Sequence, residues 1–209
     1  MSEVSEHDHP VFARFWKRAA PTAVANEDRV ALLAALSGTV VEVGAGTGVN
    51  FAFYPATVTR VIAVEPEPHL RAEALVSAGT APVPVDVVEG TAEALPVGDG
   101  ECDGAVTSLV LCSVSDQAVA LSELARVVRP GGELRFYEHV VAHKSAPASF
   151  QRWLDRSGIW PHMAAGCHVA RDTLAAIEAS SFAVTEHRRF MSGIGPFALP
   201  HIAGSATRS

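Results

Sequence analysis

Short apolar segments rich in Val and Ile recur along this sequence, and longer segments with helical periodicity separate them. The sequence predicts strands in the first five of these segments, at Val40–Val43, Val61–Glu65, Val85–Glu89, Gly104–Leu109 and Glu133–His139. Strands that are apolar on both faces are typical of a parallel sheet covered by helices on each side. The alternation therefore predicts an α/β fold, in which helices return the chain to begin each next strand.

The segments between and after these strands complete the pattern. Helices are predicted at Pro66–Ala78 and Gln117–Val128, and the tail adds a helix at Asp172–Ser180 with strands at Phe182–Phe190 and His201–Thr207. Seven strands with intervening helices predict a doubly wound, Rossmann-like and mostly parallel sheet.

Composition and charge exclude several classes of function. The formal net charge is −7 and the basic residues are scattered, whereas proteins that bind nucleic acids need clustered Lys and Arg. The N-terminal segment is polar and acidic, unlike a signal peptide, and no apolar run approaches the roughly 18 residues of a membrane helix. Three cysteines without a paired spacing favour a reducing compartment. We therefore expect a cytoplasmic protein that contacts neither nucleic acid nor membrane.

A glycine-rich turn follows the first predicted strand. Val40–Val43 leads directly into Gly44, Gly46 and Gly48. Glycines in such a turn let the backbone approach a ligand, and the segment that follows presents unpaired N–H groups. A dinucleotide fingerprint would place its third glycine at Val49, so the pattern favours a ligand without a pyrophosphate.

Two acidic residues follow the next strands at matching places. Glu65 ends the second strand about 20 residues after the first glycine, where a carboxylate can accept from both hydroxyls of a ribose. Glu93 lies in the loop after the third strand. The carboxyl ends of parallel strands meet at one edge of the sheet, so these elements predict a single site.

With these three elements, the sequence resembles a class I S-adenosylmethionine-dependent methyltransferase. The resemblance implies that the glycine turn holds the methionine part of the cofactor, that Glu42 reaches its amino group, that Glu65 holds the ribose and that the loop after the third strand holds the adenine. The cofactor-binding residues that it implies are Glu42, Gly44, Ala45, Gly46, Gly48, Asn50, Glu65, Pro66, Thr91, Ala92, Glu93, Ser108 and Leu109.

Further segments resemble a narrower family, the methyltransferase-like 7 group of thiol S-methyltransferases. They are 50–55, 107–114, 137–140, 166–173 and 200–204. The resemblance implies transfer of a methyl group to a small thiol. Members of the group in animals carry an apolar, membrane-associating N-terminal segment, which differs from the polar segment found here.

The predicted elements divide the chain into three parts of one domain. We expect one domain over residues 1–209, because 48% of them are hydrophobic and can form one core. A helical cap is expected over 1–36, with helices at Val11–Arg18, ending near Pro21, and at Asn26–Leu36. The cofactor-binding core is expected over 37–140, and an acceptor-side segment with the last strands over 141–209.

The acceptor is expected to lie between the cap and the segment after the fifth strand, which is read as irregular over 143–169. His139 ends that strand and is the candidate catalytic residue, able to orient or deprotonate an acceptor. The residues predicted to bind the acceptor are Phe12, Trp16, Trp160 and Met163.

No metal is expected at this site. Cys167 and His168 are adjacent, but no second ligand pair has a suitable spacing, and Cys112 reads as a core cysteine. Displacement of a methyl group from a sulfonium also needs no Lewis acid.

Three functions remain open at this point. The first is S-methylation of a small apolar thiol by a monomer or homodimer. The second is O-, N- or C-methylation of a secondary metabolite. The third is a module that binds S-adenosylmethionine without catalysis.

Overall fold

The computed structural model describes residues 10–142, 145–158, 166–192 and 198–209. These residues form a seven-stranded sheet in the order β3-β2-β1-β4-β5-β7-β6. The strands are β1 (Gly38–Val43), β2 (Val58–Val64), β3 (Val85–Val88), β4 (Cys102–Ser108), β5 (Val128–His139), β6 (Phe182–Ser192) and β7 (Leu199–Arg208). The first five pair in parallel, and β7 is antiparallel to both β5 and β6. The predicted α/β fold is confirmed.

Helices pack on the sheet or extend from it. They are α1 (Pro10–Ala23), α2 (Asn26–Leu33), α3 (Pro68–Ala78), α4 (Gln117–Val127), α5 (Ser145–Arg156) and α6 (Thr173–Glu178), with a one-turn 3-10 helix at Phe51–Phe53. In the part of the chain described here, none of these helices combines the length and the apolar character that crossing a bilayer requires.

The central strands form the core because both of their faces are covered. Val40, Val41 and Val61 are fully buried, as is Val106 on β4. β1 pairs with β2 on one side and with β4 on the other, so the chain changes direction across the sheet at β1. Open α/β sheets bind ligands at such a switch point, beyond the carboxyl ends of the strands.

The structure differs from the sequence prediction in the N-terminal helices. α1 continues through Pro21 to Ala23, where the hydroxyl of Thr22 donates to the carbonyl of Ala19 at 3.0 Å. A proline in the last turn removes only one backbone donor, and this side-chain bond satisfies a carbonyl in the same turn. α2 is shorter than predicted and ends at Leu33.

The segment expected to be irregular contains helix α5. Gln151 on this helix is buried, and it accepts from the amide of Ala142 at 2.7 Å and donates to the carbonyl of Val169 at 3.0 Å. Gln151 thus fixes α5 to the segment that precedes it and to the segment that follows it. Phe150 and Trp153 on this helix are exposed, and their rings stack on each other.

Candidate active site

A cavity of about 560 Å³ opens at the carboxyl ends of β1, β2, β4 and β5. It brings together nearly all of the residues predicted for the site, from elements far apart in sequence. Those on its wall are Phe12, Trp16, Glu42, Gly44, Ala45, Gly46, Asn50, Glu65, Pro66, Thr91, Ala92, Glu93, Ser108, Leu109 and His139. Gly48 belongs to the same turn but not to the wall, and Trp160 and Met163 lie outside the described residues.

The glycine turn needs glycines for two separate reasons. Gly44, Gly46 and Gly48 have φ angles of 66°, 58° and 74°, which side chains rarely adopt. A Cβ on Gly44 would also lie 2.5 Å from a methyl carbon of Val110, and one on Gly48 would lie 2.5 Å from the ring of Phe51. Gly44 therefore keeps the turn close to the loop after β4, while Gly48 packs the turn onto the 3-10 helix.

Glu65 lies one residue beyond β2 and closes one side of the cavity. Its Oε2 accepts from the amide of Gly46 at 2.7 Å and its Oε1 from the amide of Glu67 at 2.9 Å. A carboxylate offers about four lone-pair positions, so acceptor capacity remains for two hydroxyls of a ligand. Burial raises the pKa of this carboxyl, while the two amide bonds act in the opposite direction.

Glu42 lies in the floor of the cavity within a buried polar network. It accepts from the side-chain amide of Asn50 and from the hydroxyl of Tyr54, each at 2.8 Å. Arg29 on α2 donates to the side-chain carbonyl of Asn50 and, at 2.7 Å, to the backbone carbonyl of Ala20 on α1. Sequence reasoning missed both Arg29 and Tyr54, because an arginine in a polar helix reads as a surface residue, whereas Arg29 is 3% exposed.

Burial raises the pKa of Glu42 to about 7, although Tyr54, Asn50 and Arg29 lower it and Glu65 raises it further. A carboxyl whose pKa is higher in the folded state stabilises the fold fully below its unfolded pKa of 4.5. That contribution is lost as pH rises through about 7.

We therefore expect the free energy of unfolding of wild type to fall relative to Glu42→Gln between pH 4.5 and 7, by about 2–3 kcal/mol. Urea denaturation of both proteins across this range measures the difference. Repeating the curves at about 1 M salt controls for exposed charges, which salt screens. If the unfolding free energies of wild type and Glu42→Gln changed equally with pH, the raised pKa of Glu42 would be contradicted.

The carboxyl ends of β4 and β5 are held together at the edge of the cavity. Leu109 adopts a φ of 61°, unusual for a residue with a side chain, and its amide donates to the carbonyl of Tyr137 at 2.8 Å. The amide of Val110 donates to the carboxyl of Glu138 at 3.0 Å. Glu138 is fully buried, which raises its pKa to about 7, and His139 faces the cavity instead.

Helix α1 covers the cavity. Phe12 and Trp16 stack with ring centroids 5.8 Å apart, and both line the wall. The indole nitrogen of Trp16 would lie 3.4 Å from a Cβ built on Gly46, so the ring sits over the glycine turn. The N-terminal helix therefore forms one wall of the cavity, next to the glycine turn.

Two cysteines and a histidine meet on one wall of the cavity. The Sγ atom of Cys167 lies 3.5 Å from Sγ of Cys112 and 3.5 Å from Nδ1 of His139. His168, which the sequence paired with Cys167, instead lies with its Nδ1 3.7 Å from a carboxyl oxygen of Asp155. No local spacing could reveal this cluster, since its members come from three separated segments. Cys112 is buried as expected, but it also lines the cavity.

Comparison with known proteins agrees with this architecture. Residues 41–136 match a family model described as a methyltransferase domain. The chain is 36% identical to human thiol S-methyltransferase TMT1A and 33% identical to human thiol S-methyltransferase TMT1B, each over 81% of this chain and 70% of the relative. The structure of the YcgJ protein from Bacillus subtilis shares the fold with a TM-score of 0.72 at 16% identity, over 88% of this chain and 99% of that one.

The resemblance inferred from the glycine turn and the two acidic strand ends is confirmed by these matches. Enzymes of this family use S-adenosylmethionine as methyl donor. The chain belongs to the class I S-adenosylmethionine-dependent methyltransferases, in the family that includes the thiol S-methyltransferases.

Proposed function

We propose that this enzyme transfers the methyl group of S-adenosylmethionine to the sulfur of a small, apolar thiol. One observation carries the proposal: the cofactor-side residues and an apolar wall with two thiols and a histidine line a single continuous cavity. The similarity to two human thiol S-methyltransferases supports the same choice of acceptor.

The residues on the cofactor side fit S-adenosylmethionine. Gly44 leaves open a space that a Cβ could not enter without moving Val110, and Glu65 keeps acceptor positions for ribose hydroxyls. Glu42 and Asn50 lie in the floor of the cavity, where the positively charged amino group of the cofactor would favour the ionised form of Glu42. We assign the adenine to the loop from Thr91 to Glu93, which lies on the same wall.

When bound, the cofactor supplies an electrophilic methyl group on a sulfonium. The chain's own contribution is to align an acceptor with that methyl group and to exclude water, which is the main requirement of an in-line displacement. Trp16 and Phe12 cover the cavity on one side, and Leu109 and Val110 close it on another. These apolar contacts favour a neutral, apolar acceptor.

The acceptor side suits a thiol better than an alcohol. Glu138 is turned away from the cavity toward the amide of Val110, which leaves His139 as the candidate base among the described residues of this wall. A thiol is already a few per cent ionised at neutral pH, whereas an alcohol or phenol depends on a base. His139 therefore orients the acceptor rather than carrying the reaction alone.

A competition experiment tests the acceptor. A small thiol and its matched oxygen analogue are offered together, and mass spectrometry reads the methylated products. We expect the thioether to dominate, and His139→Ala to lower the rate by less than about 100-fold, because loss of a true general base costs 10²–10⁴-fold. The variant His187→Ala, at an exposed position on β6, controls for loss of a histidine elsewhere.

Two results would point elsewhere. Preferential O-methylation that His139→Ala abolishes would identify an O-methyltransferase with His139 as its base. Tight cofactor binding with no methylated product from thiols, phenols or amines would identify a module that binds the cofactor without catalysis.

A further inference from the structure

Two of the three distances between the ligand atoms of Cys112, His139 and Cys167 are close to those of a tetrahedral zinc site. The two sulfurs are 3.5 Å apart, Sγ of Cys167 is 3.5 Å from Nδ1 of His139, and all three ligand atoms lie within 4.8 Å of one another. Zinc bonds of about 2.3 Å to sulfur and 2.0–2.1 Å to nitrogen, at tetrahedral angles, place two sulfurs about 3.8 Å apart and sulfur and nitrogen about 3.5 Å apart. Small side-chain movements would therefore accommodate the ion.

The backbone holds these residues together independently of any ion. The amide of His168 donates to the carbonyl of Cys112 at 2.8 Å, which ties the segment that carries Cys167 to the loop after β4. The carboxyl of Asp155 on α5 accepts from the amides of Val169 at 3.1 Å and Ala170 at 3.0 Å, fixing the same segment from the other side. Two buried thiols are thus held beside each other at the end of β5.

The chemistry of the three ligand side chains favours zinc over other metal ions. Two thiolates and an imidazole are soft or borderline ligands that suit Zn²⁺, whereas Mg²⁺ and Ca²⁺ require oxygen ligands. Two thiolates and a neutral imidazole also balance the charge of Zn²⁺. With these three ligands the centre would be neutral, and an acceptor thiolate in the fourth position would add one negative charge that the cofactor's sulfonium in the same cavity would balance.

The position of the cluster indicates a catalytic rather than a structural site. Structural zinc sites have four protein ligands, while catalytic sites have three and keep one position open. Cys112, His139 and Cys167 all line the cavity that also contains the cofactor-side residues. An open position on an ion bound there would face the acceptor space.

Against the sequence expectation that no metal binds here, we propose that Cys112, His139 and Cys167 bind one Zn²⁺ ion whose fourth position takes the acceptor thiol as a thiolate. The catalytic part of this proposal rests on the proposed function. The bound thiol loses its proton to solvent, and its sulfur lone pair forms the new bond to the methyl carbon. The sulfonium carbon–sulfur bond breaks, its electron pair stays on the cofactor sulfur, and the neutral thioether leaves the ion. A thiol that coordinates zinc is deprotonated outright, so no separate base is needed.

Zinc binding is measured on the full chain without any acceptor. Protein stripped with a chelator is titrated with Zn²⁺ alone, and bound metal is counted by elemental analysis after desalting. We expect about one equivalent per chain, and binding at least about 100-fold weaker in Cys112→Ser, Cys167→Ser and His139→Ala. Cys102→Ser and His168→Ala are matched controls, because Cys102 is buried at the other end of β4 and His168 neighbours the cluster without joining it.

Folding of each variant is checked by thermal melting and by its affinity for S-adenosylhomocysteine, which the cluster does not hold. If Cys112→Ser fails to fold, the zinc affinity of Cys167→Ser tests the proposal instead. The controls Cys102→Ser and His168→Ala show how much affinity is lost when a cysteine or a histidine outside the cluster is replaced. No stoichiometric zinc in wild type would overturn the proposal, as would equal loss in Cys102→Ser. Ready formation of a Cys112–Cys167 disulfide in protein that binds no zinc would also overturn it and identify a redox pair.

A second measurement separates this proposal from the proposed function. With Co²⁺ in place of Zn²⁺, the acceptor thiol should change the visible spectrum of wild type but not of Cys167→Ser. Removal of zinc should slow thiol methylation about 10- to 30-fold at pH 7, with recovery at a pH above the thiol's own pKa, because only a few per cent of the thiol is otherwise ionised. An equal rate of thiol methylation with and without zinc would overturn the catalytic part of the zinc proposal. Stoichiometric zinc without thiol methylation would instead overturn the proposed function.

Discussion

Gly44→Ala should weaken cofactor binding about 100-fold while leaving a folded protein. A residue with a side chain at a φ of 66° costs about 1–2 kcal/mol, and the new Cβ would lie 2.5 Å from Val110. Val110 cannot retreat freely, because its amide is bonded to the carboxyl of Glu138. The glycine turn must therefore shift at the place assigned to the cofactor's methionine part, and isothermal calorimetry with S-adenosylhomocysteine measures the loss.

The matched control is Gly131→Ala. Gly131 has a φ of 78°, yet a Cβ there would meet nothing within 4 Å. This variant should lose about 1–2 kcal/mol of unfolding free energy and keep its cofactor affinity. Equal affinity in Gly44→Ala and wild type would mean that the turn does not hold the cofactor.

Glu65→Ala should weaken binding of S-adenosylmethionine and S-adenosylhomocysteine by about 1.5–3 kcal/mol, roughly 10- to 150-fold, but should create no affinity for NAD. The carboxylate is placed to accept from the ribose hydroxyls, and hydrogen bonds to a charged group lie in this range. Its loss also releases the amides of Gly46 and Glu67, so the turn becomes less rigid.

Glu89→Ala is the control for this variant. Glu89 follows the neighbouring strand β3 and pairs with Arg71 at 2.8 Å, but its side chain is 72% exposed. Its removal should leave calorimetric affinity unchanged. If Glu65→Ala behaved like Glu89→Ala, the carboxylate at the end of β2 would have no part in binding.

The sequence was most informative where local pattern and ligand chemistry coincide. The turn at Gly44 and the carboxylate at Glu65 could be placed because strand ends in a parallel sheet converge on one edge. His139 was placed on the cavity by the same logic. Gly48 was assigned with them, but it does not line the cavity, and a Cβ there would lie 2.5 Å from the ring of Phe51.

Features that depend on packing between distant segments could not be predicted. Arg29 became a buried residue only because α2 rests on the 3-10 helix and the floor of the cavity. The meeting of Cys112 and Cys167 depends on Asp155 and on a backbone bond across 56 residues of chain. Helix α5 was missed since its anchor, Gln151, is a polar residue whose burial depends on three backbone partners.

A single guanidinium joins helix α1 to the floor of the cavity. Arg29 bonds the carbonyl of Ala20 near the end of α1 and the side chain of Asn50 beside Glu42. A ligand that stabilises this position of Asn50 would therefore also favour the bond between Arg29 and α1. By thermodynamic reciprocity, an interaction that favours this position of α1 would raise the affinity for that ligand by the same factor. The helix over the cavity and the polar network beneath it are in this way connected by one side chain.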